Sequence, residues 1–209
     1  MPSTTSTVTR RRKPKQARSK EKVERVLQAA RTILETEGAG AFNTNRIAKE
    51  AKIGVGSLYE YFPNKESIAQ RLLEDIERNE SDVILQRFAE LSASSLKEAV
   101  VAIVETTFAL YRTHTHLYQA LRTVTGEVRR REGIRPTEAA IVQATQERLA
   151  QYKDSLQRPD LELTSLLIFY TVESLAFSSV NHRPAHWTDQ QWIDEIVAVV
   201  SGYLGLSDD

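Results

Sequence analysis

Cysteine is absent from the 209 residues, which excludes disulfides and any Cys-based metal or redox site. No apolar run approaches the eighteen or so residues of a bilayer span, so no membrane partner is expected. The first twenty residues are basic and rich in Ser and Thr. They lack an apolar segment behind the charges, so no secretory signal is expected, and a reducing cytoplasm is compatible with this composition. A Gly-rich phosphate loop, an HExxH pattern and a Cys nucleophile are all missing, so neither an enzyme nor a cofactor is expected. His114 and His116 stand two apart and would point to different sides of a helix. His182 and His186 are four apart but have Pro184 between them, so no metal site is expected.

Net charge is missing too, because 28 Lys and Arg balance 28 Asp and Glu. The balance hides an asymmetry. Residues 1–70 hold 14 basic against 7 acidic side chains, and residues 71–209 hold 14 against 21, leaving +7 and −7. A basic first third on an acidic remainder is the footprint of a nucleic-acid-binding module joined to something else. The hydrophobic share of 41% is enough to build a core.

The richest stretch is NTNRIAKEAKIGVGSLYEYFPNKES, from Asn43 to Ser67. Ile47, Ala48 and Ala51 fall on one face of a short helix from Thr44, with Asn43 or Thr44 as its cap. Lys52–Ile53–Gly54 breaks it. A second short helix runs from Val55 to Tyr61, and Pro63–Asn64 ends it. Two short helices across such a turn form a helix-turn-helix, whose second helix enters the DNA major groove. Val55, Gly56 and Ser57 are small and would sit nearest base edges. Thr44, Asn45, Arg46, Lys52, Gly54, Tyr59, Tyr61 and Lys65 complete the candidate DNA surface, mostly as phosphate contacts. Leu58 and Phe62 would anchor the second helix.

Asn45-Arg46-Ile47-Ala48, followed by Gly56-Ser57-Leu58-Tyr59-x-Tyr61-Phe62-x-Asn64-Lys65-Glu66, resembles the DNA-binding signature of the TetR/AcrR transcriptional regulators. The resemblance covers roughly residues 19–75. It implies a dimer, a double-stranded operator and a regulatory body that takes a small-molecule effector. Two positions depart from the pattern. Lys52 stands where the family commonly has Gly, and Gly54 stands where it commonly has Ser.

The rest of the chain reads as helices throughout, an all-α fold of about nine. Residues 1–18 are expected to form a disordered basic arm, either along DNA or as a solubilising tail. Residues 19–64 form the DNA-binding domain, with a first helix from Ser19 to about Glu37 and Gly38 as its stop. Residues 65–209 form the ligand-binding and dimerisation domain. It opens with a long helix from Lys65 to Leu91. Capping boxes Ser95-x-x-Glu98 and Thr188-x-x-Gln191 start two further helices. The remaining helices cover Leu117–Arg130, Pro136 to about Leu156, and Asp160 to about Asn181.

The last two helices are apolar on more than one face, which predicts burial on more than one side. They would form a four-helix bundle with a second copy, through Leu167, Ser174, Leu175, Ser178, Ile196, Val200 and Tyr203. Polar groups among aromatics mark a candidate effector site: Glu105, Phe108, Tyr111, His114, His116, Tyr118, Arg122, Tyr152, Tyr170 and Glu173. The reading is a cytoplasmic bacterial regulator, associated with the nucleoid through DNA. The alternatives are a constitutive dimeric DNA-binding protein without effector, and a helical enzyme or binding module.

Overall fold

The structure is a computed structural model that describes residues 12–91, 94–126, 135–154, 156, 158 and 160–206, with residues 12–16 given by backbone alone. Among these residues there are nine α-helices and no strand. They are α1 (Arg12–Thr36), α2 (Thr44–Glu50), α3 (Val55–Tyr59), α4 (Lys65–Glu90), α5 (Leu96–Thr113), α6 (Thr115–Thr125), α7 (Pro136–Ala150), α8 (Leu161–Asn181) and α9 (Asp189–Leu204). They divide into two compact units, residues 1–73 with 120–127 and residues 74–119 with 128–209.

In the first unit α1 starts at Arg12, ahead of the expected Ser19. Pro14 falls in the opening turn, where a missing N–H costs no helical hydrogen bond, so it does not stop the helix. Part of the expected arm is therefore helix, and the rest lies outside the described residues. Val26, Ala30 and Ile33 of α1 are fully buried, and Ala29 and Leu34 nearly so. The helix stops where Gly38, at φ 76°, donates its N–H to the Ile33 carbonyl at 3.0 Å. α1 packs on α2, and α2 on α3. Phe42, Ile47, Ala48, Leu58 and Ile68 complete a core whose members are almost without exposure.

The second unit is built on caps that the sequence spells out. Glu98 N–H donates to Ser95 Oγ at 3.2 Å, and Ser95 N–H to Glu98 Oε2 at 2.7 Å. The Ser95 N–H and the Ser95 hydroxyl, which donates to Glu98 Oε2 at 2.9 Å, hold the exposed Glu98 carboxyl below its ordinary range. Thr188 and Gln191 do the same for α9, and Asp160 accepts from Leu163 N–H at 2.9 Å to open α8. Pro136 takes the first position of α7. α7 ends at Ala150, short of the expected Leu156, because the backbone tightens there to i−3 bonds at Gln151 and Tyr152. α5 packs on α8 and α9, and α8 also packs on α7 and α9. The shared core holds Leu96, Val100, Val104, Leu149, Val172, Ile196, Val200 and Leu204.

One expectation needs correcting here. By length and composition α8 is long and apolar enough to cross a membrane. It packs against α5, α7 and α9, and one face stays uncovered.

Candidate nucleic-acid interface and effector region

The reader is assembled from its caps inward. Asn43 Oδ1 accepts the Arg46 N–H at 2.9 Å and starts α2. At the other end, Ile53 N–H reaches the Ala48 carbonyl at 3.0 Å and Lys52 N–H reaches Lys49 at 3.2 Å. This pair of bonds is the Schellman pattern, which requires a left-handed residue at Lys52. Lys52 has φ 55°, and it is the one described non-glycine residue with positive φ. The departure from the family pattern therefore places a Cβ-bearing cation where glycine is unstrained.

α3 follows from Gly54, which offers no side-chain cap. Leu58, at 0% exposure, and Phe62 pin α3 to the core. Its opposite face is open. Gly56 is exposed, and a Cβ built on it would meet nothing within 4 Å. Asn45, Lys52, Gly54 and Tyr59 are also exposed, while Thr44, Val55, Ser57 and Lys65 are half-buried. Tyr59 Oη and Thr44 Oγ1 lie 3.1 Å apart, a hydroxyl pair linking α3 to α2.

Two expected phosphate contacts are engaged elsewhere. The Tyr61 hydroxyl donates to Ser19 Oγ on α1 at 3.3 Å. The Arg46 guanidinium is held by Glu37 at 2.6 Å and Glu50 at 2.8 Å. Periodicity alone could not reveal either partner, because Ser19 and Glu37 are distant in sequence.

Lys52→Gly should stabilise the first unit slightly, by up to about 1 kcal/mol, since relief of the left-handed strain is partly cancelled by the unfolded-state entropy of glycine. If Lys52 holds a phosphate, the same variant should lower the slope of log affinity against log salt by about 0.9. Thermal midpoint and salt titration read the two effects separately.

In the second unit, Tyr111 of α5 stacks on Tyr118 of α6, with centroids 5.4 Å apart, and Phe177 of α8 meets Tyr111 edge-on at 6.0 Å. The Tyr118 hydroxyl donates to Glu80 Oε2 at 2.5 Å and the Tyr111 hydroxyl to Glu173 Oε1 at 3.3 Å. Arg135, capping α7, pairs with Glu77 and Glu138 and comes within 3.9 Å of Glu173. Five helices thus meet in one polar cluster that has four carboxylates and one guanidinium. Burial pushes the Glu80 carboxyl up to about 7, with the Tyr118 hydroxyl opposing and the Glu173 charge adding to the rise. Burial likewise raises both tyrosine hydroxyls.

Of the expected effector residues, Tyr111, Tyr118 and Glu173 converge. Glu105, His116 and Tyr170 are exposed instead, Phe108 is core, and His114 is the half-buried cap of α5. Tyr152 donates to the Ser94 carbonyl at 3.1 Å beneath Arg148, and Arg122 belongs to the first unit. Glu77, Glu80, Arg135 and Glu138 were not anticipated. A signal did exist, because Glu77, Glu80, Ser81 and Ile84 share one helical face with the i, i+3, i+4, i+7 spacing, and Ser81 and Ile84 are buried.

The residues expected at a dimer face are divided between the unit's interior and its surface. Ile196 and Val200, each 2% exposed, lie in the unit's own core and cannot meet a partner. Leu175 packs on that core and accepts the Trp192 Nε1–H at 2.9 Å. Tyr203 lies under Arg158, with its ring centroid 4.2 Å away. Ser178 is half-buried, whereas Leu167 and Ser174 are exposed. Leu163, Leu167 and Tyr170 stand at 50%, 43% and 40% exposure on one face of α8, and Val199 of α9 at 50%. One residue along a helix turns a side chain by about 100°, so Val199 faces out where Val200 faces in.

Residues 26–72 match the family described as bacterial regulatory proteins, tetR family, and residues 95–204 match the tetracyclin repressor-like C-terminal domain. The chain belongs to the TetR family. It is 32% identical over 97 residues to the HTH-type transcriptional repressor DrrR1 of Streptomyces coeruleorubidus, a match covering 46% of this chain and 34% of that protein. The chain thus spans about a third of the length of this relative. A TetR-family transcriptional regulator from Pectobacterium atrosepticum shares the fold at TM-score 0.69 and 17% identity, over 97% of this chain and 99% of that one. The transcriptional regulator FadR from Bacillus subtilis, solved with stearoyl-CoA, does so at TM-score 0.59 and 17% identity, over 88% and 99%. The helix-turn-helix of α2 and α3 lies within residues 26–72, the segment that matches the bacterial regulatory proteins of the tetR family.

Proposed function

We propose that this regulator is a homodimeric repressor that holds a palindromic operator and leaves it when a small molecule enters the second unit. The observation that carries the DNA half is the open face of α3, where Gly56 has free space before it and Leu58 and Phe62 hold the helix from behind. Dimerisation is supported by the uncovered apolar stripe of Leu163, Leu167 and Tyr170. A twofold pair would set two α3 helices about 34 Å apart, one turn of DNA.

The effector reading is supported by the Tyr111–Tyr118–Glu80–Glu173–Arg135 cluster. FadR was solved with an acyl-CoA, whose phosphates are anionic. Four carboxylates around one guanidinium disfavour such a ligand here and favour one rich in hydrogen-bond donors or positively charged. The effector needs only to bind the DNA-free arrangement better than the DNA-bound one, and ~1–3 kcal/mol of coupling is the usual scale. Selection from random DNA should return an inverted repeat. A compound that raises the thermal midpoint and weakens binding to that repeat would be the effector. Recovery of unrelated sequences without a repeat would overturn the operator reading.

A further inference from the structure

Arg46 is the third residue of α2, close to the positive end of the helix dipole, where a cation is disfavoured. It is nevertheless compensated. Nη2 lies 2.6 Å from Glu37 Oε1 and Nη1 lies 2.8 Å from Glu50 Oε2. Glu37 follows the end of α1, and Glu50 closes α2. The Glu50 bond spans four residues within α2 and fixes the guanidinium's conformation, while the Glu37 bond, made by the other arm of the planar fork, ties α2 to the chain leaving α1. The neighbouring Ile47 and Ala48 are fully buried and set the register of α2 against the core. What remains to be fixed is the rotation of α2 about that core contact, and the Arg46–Glu37 tie, which leaves α2, acts on it. α2 in turn carries α3, through the turn at Lys52 and the Thr44–Tyr59 hydroxyl pair at 3.1 Å.

We propose that Arg46 is a positioning residue of the DNA reader, held by Glu50 and acting through Glu37 to orient α2 and α3, and that it makes no phosphate contact. The assignment rests on the reading of α3 as the DNA-contacting helix. The two possible roles leave different marks. A phosphate contact, when lost, weakens binding to every duplex and lowers the salt slope by about 0.9. A lost orientation weakens only the binding that depends on base contacts and leaves the slope in place.

The test uses the full-length protein, the duplex recovered by selection and a scrambled duplex of equal length. Variants are R46Q, R46K, the E37Q/E50Q pair, and all three neutral substitutions together, with helical content checked by circular dichroism. R46Q should lose roughly three- to tenfold on the selected duplex, the scale expected of two exposed ion pairs. On the scrambled duplex it should change less than about twofold, with the salt slope unaltered. E37Q/E50Q should lower the selected-to-scrambled ratio in the same way, and adding R46Q to it should cost nothing more. R46K, which keeps the charge but not the planar fork, should recover part of the ratio. Equal loss on both duplexes with a slope lower by about 0.9 would overturn the assignment, as would R46Q binding like the unaltered protein. If the unaltered protein fails to tell the two duplexes apart, the DNA-reader reading falls first and takes this assignment with it.

Discussion

Leu163→Glu combined with Leu167→Glu should convert the protein to a monomer in sedimentation and weaken binding to the selected duplex by about a hundredfold or more. Both leucines are half-exposed in the isolated chain, so a carboxylate at either position meets water and the protomer should keep its stability within ~0.5 kcal/mol. Across a twofold interface the same change places four carboxylates together and removes four buried leucines. Full burial of a leucine is worth about 1.5–3 kcal/mol and these are already half covered, so each contributes roughly half of that, and burying carboxylates in their place adds a larger cost. The DNA effect follows from geometry, since one reader engages one half-site and forfeits the joint binding of two. A dimer that survives both substitutions would move the interface away from α8.

The second large effect is a pH dependence centred on Glu80. Burial raises its folded-state value from 4.5 to about 7, so the folded protein holds this proton more tightly than the unfolded chain. The sign follows directly. Stability from this group is fully present below pH ~4.5 and is lost as pH rises through about 7. A rise from 4.5 to about 7 corresponds to about 3 kcal/mol between those limits. Glu80→Gln keeps an acceptor for the Tyr118 hydroxyl and removes the titration. The variant should match the unaltered protein near pH 4 and melt several degrees higher at pH 8, at about 2–4 °C per kcal/mol for a chain this long. Glu77, Glu138, Glu173 and Arg135 face the same cluster and stay in both proteins, so the difference between the two curves isolates Glu80. Parallel curves from pH 4 to 8 would show that the carboxyl is not held as the geometry implies.

The legibility of this molecule followed the range of its interactions. Caps are local and could be read, as at Ser95, Asp160 and Thr188. The same holds for the anchors Leu58 and Phe62, whose spacing of four states their common face. What could not be read were the pairings between distant segments, Arg46 with Glu37, Tyr61 with Ser19, Tyr118 with Glu80. A charge on a helix looks the same in sequence whether it faces water or an arginine fifty residues away. The last two helices show an intermediate case. Their apolar surplus announced burial on two sides, but both sides are hydrophobic, so composition could not say which belonged to the protomer. Ile196 and Val200 went inward, and Leu163 and Val199 were left outside.

Everything rests on the uncovered face of α3 and what it reads. Gly56→Leu examines that face alone, because the new side chain would project into open space and leave the fold intact. Footprinting on the duplex recovered by selection should give two protected half-sites centred about 34 Å apart for the unaltered protein. It should give none for Gly56→Leu at the same concentration, with the thermal midpoint unchanged. Equal protection by both proteins would mean that DNA is held by some other surface.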